Sequence, residues 1–255
     1  MSELYISDRN ISVAWAKAFL ALMEPGKEER HPAVITISDL DTSPAIEDLR
    51  IRMRLDQELK QRKENSIATI ANTIFPMSMW NPRLPNDAQA LYQRYERVWP
   101  GIRKCPANRN GVYFRRLMAY QPNGVKEEER VNQLRFITDT YNKGNHRKSA
   151  LQASIFDPSR DHTNNRQKGF PCLQQVAFMP IANGELSVTG FYATQYQFEK
   201  AYGNYLGLYA LGQFMAKQLN LRLVQVVCIA AFLKRGNQTK GSLEPLANDI
   251  RSLLH

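Results

Sequence analysis

The chain is expected to be an α+β protein, and three observations predict it. Helical apolar spacing dominates the first 142 residues. From Lys148 onward the pattern turns to alternating and β-branched runs, the signature of strands gathered after helices. No repeat, low-complexity segment or composition shift divides the 255 residues, so a single domain over 1–255 is expected.

Residues 11–23 carry helical spacing through Ile11, Val13, Ala14, Ala18 and Leu22, and Pro25-Gly26 ends it. Residues 33–37, AVITI, are a short β-branched strand. Residues 41–63 read as a long charged helix that Ser43-Pro44 can start, with Leu49, Met53 and Leu59 on its buried side. Residues 66–75 are an apolar segment, helix or strand. Residues 81–86 hold two prolines and read as a loop, 87–98 as a helix, and 99–110 as a second loop. Residues 112–120 suit a strand or a helix. Residues 127–142 form an amphipathic helix on Val131, Leu134, Ile137 and Tyr141.

A strand is expected over 150–156, then a polar loop over 159–169. A hairpin turning at Asn183-Gly184 joins two further strands. An apolar helix over 202–219, a buried strand over 221–232 and a closing helix over 243–254 complete the chain.

Bulk properties bound the class. Hydrophobic content of 43% with 23% charged residues describes an ordinary globular chain, and no apolar run approaches the roughly 18–20 residues of a membrane span. The start, MSELYISDRN, lacks a basic end followed by an apolar core, so a cytoplasmic location is expected. Three widely spaced cysteines with no CxxC, and four scattered histidines, argue against a structural zinc site. Net charge of +10 favours phosphorylated ligands or nucleic acid through long-range attraction, or is a solvated basic surface; no arginine-rich tail or RNA-binding motif accompanies it.

Residues 170–211 hold the most informative pattern. Cys172 directly follows Pro171 and opens an alternating strand. The hairpin leads to a second strand, a loop and a helix with Asn204 near its start. This layout resembles the nucleophile region of the thymidylate synthase and pyrimidine hydroxymethylase superfamily. The resemblance is strongest over residues 147–232. It implies a thymidylate synthase-like fold, a central mixed β-sheet flanked by helices, with two copies packed sheet to sheet as a homodimer.

The resemblance implies roles for particular residues. Cys172 would add as a thiolate to C6 of a pyrimidine, making C5 nucleophilic toward a one-carbon donor; a buried, inert cysteine is the alternative. Arg147, Lys148 and Arg166 are candidate cations for lowering its pKa. Cys105 and Cys228 read as structural. Arg147 and Lys148, before a strand that ends in Phe156-Asp157-Pro158, match a paired-basic element that reaches a partner's nucleotide phosphate. Asn204 offers one donor and one acceptor to the O4 and N3–H edge of uracil, or caps a helix. Thr194 would be a phosphate hydroxyl.

Other positions depart from the family. Ala193 stands where a phosphate arginine is expected, and Tyr196 where an aspartate engages the folate donor. The histidine and tyrosine that bind ribose have no counterpart after Ile229. Residues 112–116 faintly resemble the family's Tyr-Gly-x-Gln-x-Arg strand. No catalytic glutamate is evident; Glu58 lies upstream in the charged helix. Two functions follow from the resemblance. One is transfer of a methyl or hydroxymethyl unit from 5,10-methylenetetrahydrofolate to C5 of a pyrimidine nucleotide. The other is a nucleotide- or partner-binding protein without turnover.

Overall fold

The computed structural model describes residues 3–43, 45–144, 146–164 and 170–254. The strands are β1 (Leu4–Asp8), β2 (Glu29–Arg30), β3 (Ala33–Ile37), β4 (Gln152–Ser154), β5 (Leu173–Ile181), β6 (Glu185–Tyr192), β7 (Gln195–Tyr196), β8 (Arg222–Ala230) and β9 (Leu233–Lys234). The α-helices are α1 (Ile11–Leu22), α2 (Leu49–Gln61), α3 (Ile67–Ile74), α4 (Asp87–Lys104), α5 (Tyr113–Met118), α6 (Gln133–Asn142), α7 (Pro158–Asp161), α8 (Tyr202–Leu219) and α9 (Lys240–Leu253). The architecture is a central mixed sheet flanked by helices.

Six strands pair in the order β1-β3-β8-β6-β5-β4, and β2-β9-β7 form a small second sheet. In the large sheet β1/β3 and β8/β6 are parallel and the remaining pairs antiparallel. The register aligns apolar residues into rows across the strands: Ile35 faces Cys228, which faces Gly190, which faces Val176, which faces Ala153. That row is buried throughout apart from the glycine's missing side chain, and it lies under α8, where Gly190 leaves room for Leu208. The alternate positions behave differently. Tyr5, Val34, Val227, Thr189 and Ala177 are half-buried or exposed. The sheet is therefore sealed on one face and open on the other.

Helix α8 is the central helix. Gly203 and Gly207 let α3 approach closely: a Cβ at Gly203 would lie 2.8 Å from the Ile67 carbonyl oxygen. Trp15 stacks on Phe19, with ring centroids 5.0 Å apart, and Phe75 meets Trp80, Phe114 and Phe214. One hydrophobic cluster runs through all of these elements.

Several expectations change. Helix α2 begins at Leu49 rather than near Ser43. The Ser43 and Thr42 N–H groups turn back onto the Asp39 carbonyl, and Asp48 caps the helix by accepting from the Arg50 N–H. Leu49 and Met53 are 62% and 69% exposed; the buried stripe is Ile51, Leu55 and Leu59, four residues apart. Helix α4 runs through Pro100 and Gly101 to Lys104. Stacking of Trp99 on Tyr95, and the Arg115 guanidinium 4.9 Å over Trp99, hold this extension in place. Residues 113–118 are a helix, because Phe114, Leu117 and Met118 bury one helical face; the strand implied by the resemblance is not there. Helix α6 starts only at Gln133, capped by Asn132, and Val131 instead bridges to Tyr120. Strand β4 is three residues long, because Ile155 and Phe156 both donate to the Gln174 carbonyl and leave the ladder. The Asn183-Gly184 turn is as expected, with both residues at positive φ. Among the described residues no helix is long and apolar enough to cross a membrane.

Candidate active site around Cys172

Cys172 sits immediately before β5, at the end of the sheet opposite the Asn183-Gly184 hairpin. Its backbone is anchored on two sides. The Cys172 N–H donates to the Tyr113 hydroxyl at 3.3 Å, and its carbonyl accepts from the Ala193 N–H at 3.0 Å. Tyr113 stacks on Phe170, and the Arg116 guanidinium lies 4.7 Å over the Phe170 ring. The strand head is thus clamped between α5 and the end of β6.

Across from it the chain enters α8 through a single π-helical turn, Gln197–Ala201. Such turns are rare and recur at functional sites because they displace side chains from the regular helical face. Gln197 and Trp15 hold this turn reciprocally: each donates a side-chain N–H to the other's carbonyl at 2.9 Å. Lys200 leaves the turn half-buried and without a salt bridge among the described residues. Asn204 follows four positions later, 5% exposed, and makes no side-chain hydrogen bond among the described residues.

The electrostatics are mixed. Burial pushes the Cys172 thiol above its ordinary pKa, and the Lys200 ammonium pulls it back; burial wins. Burial also raises the Tyr113 and Tyr192 phenols. The Tyr192 hydroxyl is buried without a hydrogen-bond partner among the described residues. Cys228 lies deeper. Burial pushes its thiol up to about 12 although Gln195 donates to it, so it is an inert core group. Cys105 is exposed at the end of α4.

The remaining expected residues divide between the two ends of the sheet. Thr194 follows Ala193 directly and is half-buried beside the Cys172 backbone. Arg147 and Lys148 are exposed, in the turn before β4. The Leu151 carbonyl bonds to Phe178, six residues along the strand from Cys172, which sets this basic pair roughly 20 Å from the thiol of its own chain. Arg166 lies outside the described residues. Glu58 is buried, and its two oxygens are held by Arg54 at 2.8 Å and Arg62 at 2.6 Å. Burial pushes its pKa up, but these two hydrogen-bonded arginines outweigh that and hold it below the usual carboxylate value. It is a structural ion-pair group.

Lys200, Tyr113 and Gln197 were not singled out from the sequence. One signal was available: Gln197, Glu199 and Lys200 interrupt an apolar stretch just where a helix begins, and three polar residues there need a local reason.

The folate donor can be tested against these residues. Tyr196 offers a phenol in place of a carboxylate. The next carboxylate, Glu199, has a buried Oε2 without a partner among the described residues and a pKa raised by burial. The backbone of Gly236 closes against it so tightly that a Cβ there would overlap it. The residues present do not fit the donor, and no step is routed through it below. Comparison with known proteins yields no matching family model and no matching curated sequence.

Proposed function

We propose that this is a divergent thymidylate synthase-like enzyme whose Cys172 adds to C6 of a pyrimidine nucleotide and activates C5 for a one-carbon unit. One observation carries the reading: a half-buried thiol at a strand head lies within the field of Lys200, and four residues beyond Lys200 sits Asn204, whose side chain makes no hydrogen bond among the described residues. Lys200 favours the thiolate. The thiolate forms a bond from Sγ to C6, and the C5=C6 electron pair moves toward C5 and O4. The Asn204 amide N–H donates to O4 while its carbonyl accepts from N3–H, stabilising the enolate where charge develops. C5 then takes an electrophile or a proton. Loss of the original C5 proton and departure of the thiolate restore the ring. Thr194 contributes a hydroxyl to the phosphate.

The open sheet face supports a homodimer in which two copies bury these faces together. In that arrangement Arg147 and Lys148, remote from their own Cys172, serve the phosphate of the partner's site. By resemblance the one-carbon unit comes from 5,10-methylenetetrahydrofolate; given the poor fit of Tyr196 and Glu199, the reaction is proposed here only as far as the activated C5.

A second reading, nucleotide binding without turnover, is favoured by one observation: burial outweighs Lys200 at the thiol. The two separate by an experiment that needs no donor. Pyrimidine nucleotides tritiated at C5 (dUMP, UMP, dCMP and CMP) exchange that hydrogen with water only through reversible addition at C6. The enzyme reading expects exchange with at least one of them, abolished in Cys172→Ala. Binding of a nucleotide without exchange would establish the second reading.

A further inference from the structure

We propose that the arginine-lined cavity beside α5 is a binding site for a sugar phosphate, either as a free metabolite or as the ribose-phosphate half of a nucleotide. The cavity has a volume of about 260 Å³ and lies between the end of α4, the start of α5 and the segment before α7. That is below the roughly 300–1,000 Å³ of drug-sized sites, so its ligand is small. Five arginines line it against two carboxylates, Glu127 and Asp157. Arg116 and Arg115 are already committed, to Asp161 and to Glu96, and form the rigid floor. Arg103 and Arg109 are exposed and have no ion pair among the described residues. They supply charge that no ion pair among the described residues neutralises, in the fork geometry that suits phosphate.

A second, independent observation points to a ligand. Asp157 lines the same cavity and is 3% exposed. Its Oδ1 accepts from the Ser159 N–H at 3.0 Å and the Ser159 hydroxyl at 2.7 Å, while its Oδ2 is buried with no partner among the described residues. A buried carboxylate oxygen of this kind calls for a donor. A bare phosphate cannot satisfy it well beside the arginines; a molecule that carries both a phosphate and hydroxyls can. Two lining residues, Gly111 and Arg116, pack on Phe170: a Cβ at Gly111 would meet its ring at 2.7 Å, and Arg116 covers its face. Cys172 is not among the residues that line the cavity, and the binding proposed here does not depend on the thiol.

Isothermal titration of the full chain with ribose 5-phosphate, inorganic phosphate, uridine and UMP tests the proposal. Ribose 5-phosphate is expected to bind, inorganic phosphate more weakly, and any uridine binding to be indifferent to the arginines of the cavity. UMP that displaces ribose 5-phosphate identifies the nucleotide half as a source; UMP that binds without displacing it identifies the free sugar phosphate. The paired change Arg103→Ala and Arg109→Ala, both exposed, should weaken ribose 5-phosphate by about tenfold or more without lowering Tm. Asp157→Asn should remove the preference for ribose 5-phosphate over inorganic phosphate. Should that variant fail to fold, the arginine pair decides alone. Cys172→Ala should bind as the native chain does, so loss of C5 exchange with this binding intact speaks only to the thiol. No binding of ribose 5-phosphate at millimolar concentration, or binding indifferent to the arginine pair, overturns the proposal.

Discussion

The Cys172 site and the arginine cavity are built on opposite principles. In the first, Cys172 is half-buried, Asn204 and Tyr192 are buried, and burial outweighs the pull of Lys200 on the thiol. In the second, five arginines line a cavity against two carboxylates. A thiolate needs positive charge and a nucleotide needs a phosphate clamp, and the described residues gather their arginines in the cavity. The comparison teaches that binding strength and nucleophile activation are separable here, and that each can be perturbed alone.

The largest effect should come from the floor of the cavity. Arg116 donates to Asp161 from both guanidinium nitrogens and to the Ile155 carbonyl, and both side chains are nearly fully buried. Arg116→Met takes the guanidinium away from the buried Asp161 carboxylate; breaking a buried ion pair in this way typically costs about 3–5 kcal/mol. Chemical denaturation should show it as a lower midpoint. A loss under 1 kcal/mol would mean that water enters the cavity floor, and the contrast between a rigid base and a wet mouth would fail.

Next in size is the helix that carries Asn204. Gly203→Ala forces a Cβ against the Ile67 carbonyl and the Ile70 side chain, so α8 must shift. Overpacking of this kind costs about 1–3 kcal/mol. Because Asn204 is adjacent, pyrimidine affinity should fall along with stability, while ribose 5-phosphate binding in the arginine cavity should not. Equal loss at both sites would merge the two regions into one.

The smallest effect sharpens the comparison at the thiol itself. Lys200→Met removes the group that pulls the Cys172 pKa down, so the pKa should rise further. The rate of Cys172 alkylation by iodoacetamide, which follows the thiolate fraction, should shift to higher pH, with slower reaction at pH 8 and little change in Tm. An unmoved profile would remove Lys200 from the site.

Much of the fold was legible in the sequence. Period-two alternation and Asn183-Gly184 specify the β5–β6 hairpin directly, and α8 and β8 fall near their expected bounds, because burial on one face imposes a strict pattern there. The errors lie where local signals compete with tertiary contacts. Pro100 argues for a loop, but Trp99 held between Tyr95 and Arg115 keeps α4 helical. Leu49 and Met53 look like a buried stripe, but Ile51 and Leu55 turn a different face of α2 inward. The candidate site was legible only in its backbone-linked members, Cys172, Thr194 and Asn204. Tyr113 and Lys200 join it through contacts across 59 and 28 positions of chain, shown for Tyr113 by its bond to the Cys172 N–H and for Lys200 by its pull on the thiol, and no local spacing encodes either.

The most direct test of the central claim is covalent trapping. A 5-fluoropyrimidine nucleotide accepts the Cys172 sulfur at C6; once C5 has also taken the one-carbon electrophile, the ring can be restored forward only by loss of fluorine as a cation, which does not occur, so that adduct persists, whereas addition without an electrophile simply reverses. Intact mass followed by peptide mapping, with and without 5,10-methylenetetrahydrofolate, reads out both the adduct and its position. The account expects the added mass of the nucleotide on the peptide that contains Cys172, absent in Cys172→Ala and reduced in Lys200→Met. No adduct with either the uracil or the cytosine analogue, or an adduct confined to exposed Cys105, would contradict it.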